Sequence, residues 1–119
     1  MLDMIRAREV FEASEDFTVG IEEEFSLLDA QTLSLSQRFE ELSAAALDDP
    51  VLAASLAGEL ISSEIEIRSG RGADFAEAIS HQREARARLF ARAGKRGVLL
   101  VSTGTHPRRP WQRQNILAN

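Results

Sequence analysis

The sequence predicts an α+β fold in which a sheet has one face on helices. Three observations predict it. Segments 17–29 and 60–69 alternate with a period of two, the pattern of strands. Segment 74–93 carries apolar residues at helical spacing. A short apolar run, 98–102, lies between Gly97 and Gly104 and supplies a third strand.

Along the chain, residues 1–16 are polar and mixed and read as an N-terminal arm, loose or briefly helical. Residues 17–119 read as one domain. In strand one the odd positions are Val19, Ile21, Glu23, Phe25 and Leu27. The even positions place Glu22 and Glu24 on one face with Gly20 and Ser26. Glu23 then falls on the apolar face, or at an end where that face opens to water. A turn is expected at 29–32.

Segment 36–47 reads as a helix with Phe39, Leu42, Ala46 and Leu47 on one stripe, broken by Asp48-Asp49-Pro50. Segment 51–57 is a short apolar helix that Gly58 would end. Strand two, 60–69, puts Ile61, Ile65 and Ile67 toward the helices, and Leu60, Ser62, Glu64, Glu66 and Arg68 on the other face. Asp74 is the expected N-cap of the long helix. Its stripe is Phe75, Ala78, Ile79, Gln82, Ala85, Leu89, Phe90 and Ala93. Arg86, Arg88 and Arg92 crowd its second half, where they complement the helix dipole and read as solvated surface. After the third strand, Gly104-Thr105-His106-Pro107 is a break, and 108–114 is basic and irregular, with Trp111 as a packing residue.

The bulk numbers narrow the function. Of the 119 residues, 44% are hydrophobic, enough for one core. A net charge of −5 argues against non-specific binding to nucleic acid or to an anionic membrane. Without cysteine, neither disulfides nor thiolate chemistry is available. No apolar run is long enough for a membrane span, and the first ten residues lack the apolar stretch of a signal peptide. A cytoplasmic protein is therefore the default.

The acidic strands carry the functional signal. Glu is a poor strand former, and half-burying it costs free energy. Even so, Glu22-Glu23-Glu24 and Glu64-Ile65-Glu66 both lie in strands. One reading is a solvated edge that deters aggregation. The other is that neighbouring strands converge four carboxylates, Glu22, Glu24, Glu64 and Glu66, on a hard divalent cation that relieves their repulsion. Glu59 joins the same cleft if the strand begins with a bulge. Mg²⁺ held by carboxylates characteristically bridges to substrate phosphates, which points to an ATP-dependent enzyme. No phosphate-binding glycine loop or dinucleotide fingerprint is present. His106, beside Arg108 and Arg109, fits either a basic surface turn or a site for phosphate or carboxylate.

Taken in order, Thr18-Val19-Gly20-Ile21-Glu22-Glu23-Glu24-Phe25, Glu59-Leu60, Ile65-Glu66, and Gly104-Thr105-His106-Pro107 with Trp111 and Gln114 resemble the glutamate–cysteine ligase family. The match is to its bacterial type-2 group, the carboxylate–amine ligases. The resemblance implies part of a glutamine-synthetase-like antiparallel sheet, a funnel lined with carboxylates. It implies that ATP phosphorylates the γ-carboxylate of glutamate and that the amine of cysteine attacks the acyl phosphate. By motif position it makes Glu22, Glu24 and Glu66 ligands of Mg²⁺, with Glu59 a further one. It puts His106, Thr105 and Arg108 near substrate or nucleotide. Two positions depart from the pattern. Arg68 and Ser69 stand where a Thr is expected soon after the second-strand glutamate, and Glu64 stands where an amide is usual.

The family's enzymes are much longer, so the chain reads as an N-terminal fragment, inactive alone. Three strands leave one sheet edge bare, so the isolated chain is expected to be marginal, oligomeric or aggregation-prone. The competing reading is a non-catalytic α+β module that binds a divalent cation or a partner subunit.

Overall fold

The computed structural model describes residues 3–108 and 110–117, without the Trp111 side chain. The packing role expected of Trp111, and Arg109 beside it, lie outside what is described. The α+β class is as the sequence predicts. Strands β1 (Glu22–Asp29), β2 (Leu56–Ala57), β3 (Glu64–Arg68) and β4 (Val98–Val101) form one antiparallel sheet in the order β2-β3-β1-β4. Helices α1 (Met4–Glu12), α2 (Phe39–Ala46), α3 (Pro50–Ser55) and α4 (Phe75–Gly94) accompany it. No described helix is long and apolar enough to cross a membrane.

The pleat sorts the faces. Phe25 and Leu27 of β1 and Ile65 and Ile67 of β3 are fully buried with Leu42, Leu52 and Leu89 of the three covering helices. Alanines 78, 85 and 93 form the buried stripe of α4, and their small size lets the helix lie close to the sheet. The arm is the helix α1, capped by Asp3, and it buries none of its residues.

Local chemistry fixes the boundaries. Asp29 ends β1 by accepting from the N–H groups of Gln31 and Thr32, at 3.1 and 2.8 Å, an Asp-led turn. Asp49 caps α3 through the N–H groups of Val51 and Leu52, with Pro50 in the first turn. Asp74 caps α4 at Glu77 N, 2.8 Å, and Glu77 reaches back to Ala73 N, 2.6 Å.

Several expected boundaries move. Strand one begins at Glu22 instead of 17, because Val19 makes only an isolated bridge to Gly72 and Phe17 is exposed at φ +66°. Strand two begins at Glu64. The residues before it turn, and their backbone pairs with the C-terminal segment instead, Ser62 N donating to Asn115 O and Leu117 N to Leu60 O. The short helix stops at Ser55, and Leu56 turns extended to start β2, a strand the sequence does not announce. Gly58 therefore ends no helix. It is needed for close packing, since a Cβ there would stand 2.8 Å from Phe39 Cζ and 2.9 Å from Leu117 Cδ1.

The arginines of α4 are anchors, not solvated surface. Arg88 holds Asp49 at 3.1 and 3.2 Å, and Arg92 bonds Asp48 at 2.8 Å and the Ala45 carbonyl. Burial pushes the Asp49 carboxyl up. The Arg88 bond and the cap N–H groups outweigh it and leave the carboxyl below the usual range.

Candidate cation site on the open sheet face

The sheet face away from the helices carries the acidic residues. In the β1–β3 register Glu24 stands opposite Glu66, Ser26 opposite Glu64, and Glu22 opposite Arg68. On the other side of β3, β2 pairs Ala57 with Glu66 and so delivers Glu59, two residues on, to the same spot. Glu24, Glu59 and Glu66 each place one carboxylate oxygen within 4.8 Å of the others. Glu24 is exposed, Glu59 is half-buried and Glu66 is 3% exposed.

Glu22 does not enter this trio. It faces Arg68, whose Nε is 3.6 Å away, and the same Nε lies 2.5 Å from Glu66 Oε1. The alternation correctly puts Glu22 and Glu24 on one face but cannot tell which of them meets Glu66; the register decides that. Arg68, which breaks the expected motif, is the counter-charge of the cluster.

The neighbouring acids of β3 shift in opposite directions. The Arg68 hydrogen bond holds the Glu66 carboxyl below the usual carboxylate range. Burial opposes this, while hydrogen bonding to Glu59 and the Arg68 charge reinforce it. Glu64 is pushed up, first by burial and then by the charges of Glu24 and Glu59. Burial reinforced by like charge produces the second pattern, and a paired carboxylate produces the first.

The other three expected residues lie toward the β4 end. His106 uses both ring nitrogens. Nδ1 accepts from Arg108 N at 3.1 Å, so Nε2 carries the proton and donates to Leu33 O at 3.1 Å. This pins the loop after β4 to the turn after β1. Thr105 lines a cavity of about 270 Å³ with Ser26, Glu64 and His106. Arg108 lines a different one, about 610 Å³, with Leu28, Leu33, Val101 and His106. The histidine is thus the wall between Thr105 and Arg108. Glu64 shares the first cavity and connects it to the acid trio.

A family model described as glutamate–cysteine ligase family 2 matches residues 18–119. The chain belongs to this family. Among its relatives, a Rubrobacter xylanophilus protein provisionally named glutamate–cysteine ligase 2-3 is 41% identical over 106 residues, 89% of this chain and 29% of its own length. Proteins provisionally named glutamate–cysteine ligase 2 from Jannaschia sp. strain CCS1 and Sorangium cellulosum are each 34% identical. They cover 87% and 84% of this chain and 27% of their own lengths. The chain therefore spans less than a third of the ligase-family relatives it matches. No solved structure matches it.

The donor set suits the hard cation that the family resemblance implies. All three trio ligands are carboxylate oxygens, which favour Mg²⁺ or Mn²⁺ over softer metals. Ligand oxygens on one Mg²⁺ stand about 2.9 Å apart when adjacent and about 4.2 Å apart when opposed. The trio oxygens, within 4.8 Å of one another, would have to draw together to hold one ion.

Proposed function

We propose that this chain supplies the cation-binding face of an ATP-dependent carboxylate–amine ligase that joins the γ-carboxylate of glutamate to the amine of cysteine. Family membership supports the reaction class. The apposition of Glu24 and Glu66 across β1–β3, with Glu59 brought in by β2, carries the site.

In this reading Glu24, Glu59 and Glu66 would hold Mg²⁺, whose chemistry there is to neutralise phosphate charge. Glu22 stands at the rim on Arg68, a further carboxylate of this face. Arg108 offers a guanidinium suited to phosphate or carboxylate. His106, with both nitrogens occupied, shapes the substrate side by holding its loop. The γ-carboxylate takes the terminal phosphoryl group of ATP, releasing ADP. The amine then attacks the acyl carbon and phosphate leaves. Dependence on ATP fits a cytoplasmic setting.

Because the chain spans 29% of the R. xylanophilus relative, the groups that grip glutamate and the amine are assigned to no residue here, and turnover by these 119 residues alone is not expected. Titration with Mn²⁺, followed by its paramagnetic resonance signal, tests the cation site. The expected result is saturable binding that Glu66→Gln weakens at least tenfold. Wild-type protein that binds no Mn²⁺, or Glu66→Gln that binds it equally well, overturns the reading.

A further inference from the structure

Gln82 is a polar residue at a position where stability favours an apolar one. It lies in the buried stripe of α4, 2% exposed, and its Oε1 has no hydrogen-bond partner. An orphaned buried carbonyl is costly. Its amide nitrogen shows what the residue does. Nε2 donates to Glu23 Oε2 at 3.0 Å and to the Ile67 carbonyl at 3.2 Å. Both partners are acceptors, so the amide cannot be flipped to rescue Oε1.

Those partners are the sequence neighbours of the acidic pair. Glu23 precedes Glu24 on β1, Ile67 follows Glu66 on β3, and Glu23 and Ile67 stand opposite each other in the register. Glu23 points to the helix side, while Glu24 points to the open face. The second Glu23 oxygen accepts from Arg86, whose guanidinium lies over the Phe25 and Phe90 rings at 5.4 and 5.2 Å. These contacts reach across the sheet from behind at the level of the acid trio. Residues 27–29 are held differently, by pairing with β4.

We propose that Gln82 and Glu23 form a clamp, a pair of positioning residues that ties β1 to β3 behind Glu24 and Glu66 and so fixes the spacing of those two carboxylates. Its structural part stands on the hydrogen bonds alone; its consequence for cation binding rests on the function proposed above.

Gln82→Met keeps volume and helix propensity but removes the amide. Amide hydrogen exchange is expected to quicken about tenfold in 22–24 and 66–68, with 27–29 unchanged. Thermal stability is expected to change little, because the orphaned Oε1 is gone while Glu23 and Ile67 each lose a donor. Mn²⁺ affinity is expected to fall about fivefold in Gln82→Met and in Glu23→Met, and the double variant is expected to be no weaker than the worse single one, the signature of one shared connection. A general packing role would instead lower global stability and raise exchange throughout. Gln82→Met with wild-type exchange at 22–24 and 66–68 overturns the clamp, whatever the cation does. If wild-type protein binds no Mn²⁺, the ligase reading fails and the exchange result alone decides the clamp.

Discussion

Arg68 and Glu66 share strand β3 two residues apart, and the Arg68 Nε lies 2.5 Å from a carboxylate oxygen that water scarcely reaches. Glu22, on the neighbouring strand, is drawn to the same guanidinium. Without a bound cation, one arginine therefore offsets much of the acidic face. Replacing it with Met should lower the melting temperature in metal-free buffer by about 4 °C or more. It should also tighten Mn²⁺ binding, because a competing positive charge is lost. Thermal melts with and without Mn²⁺ check both outcomes, and the cation should restore more stability to the variant than to the parent.

Acid titration should expose the paired carboxylate. The Glu66 value is depressed in the folded state, so its contribution is present above the unfolded value of about pH 4.3 and is lost as pH falls through the lower folded value. Denaturant melts from pH 7 down to 2.5 should show Glu66→Gln already weakened at pH 7, with a flatter loss on the acid side than the parent.

Glu64 should behave in the opposite way. Its raised folded value means that its protonated form is favoured, a contribution present below about pH 4.3 and lost as pH rises through the folded value. Glu64→Gln should therefore be more stable than the parent at pH 7, and the two should converge in acid. A variant less stable at pH 7 would contradict the assignment of burial and like charge as the cause.

Gly58→Ala tests packing next to the site. The added Cβ must displace Phe39 and Leu117, both side chains with some freedom, so a cost of about 1 kcal/mol is expected from overpacking. Because Gly58 precedes Glu59, cation affinity should fall further than the melting temperature implies. Parallel melts and Mn²⁺ titrations measure the two effects.

For activity, the 119-residue chain given Mg²⁺, ATP, glutamate and cysteine should release no ADP above background in a coupled assay. Steady release would show that the residues described are sufficient for turnover.

The faces of β1 and β3 were legible because alternation is a local property: Ile65 and Ile67 point inward, and Glu22 and Glu24 share the open side. The long helix and its cap were legible for the same reason. What was missed depends on distant partners. Two residues, Leu56 and Ala57, carry no period, so β2 and its delivery of Glu59 had no signal beyond a suspected bulge. Arg88 finds Asp49, and Gln82 finds Glu23, across 39 and 59 positions of chain. Charge pattern along α4 could show only that these groups were present. Register likewise decided that Glu22 meets Arg68 while Glu24 meets Glu66, and no composition or spacing within one strand encodes that.

The shortness of β2 has a further consequence. Two members of the acid trio stand on the inner strands of the sheet, whereas Glu59 hangs just beyond a two-residue strand at its margin. The trio is a tripod with two legs on paired strands and the third on the segment after β2, where Gly58 packs on Phe39 and Leu117. For any ion seated there, the ionic radius would be met by side-chain rotation at exposed Glu24 and half-buried Glu59, with buried Glu66 as the fixed point. Mg²⁺, with bonds of about 2.0 Å, and Ca²⁺, with bonds of about 2.3–2.6 Å, would differ in how those two side chains are turned, while the backbone of the sheet stays as it is.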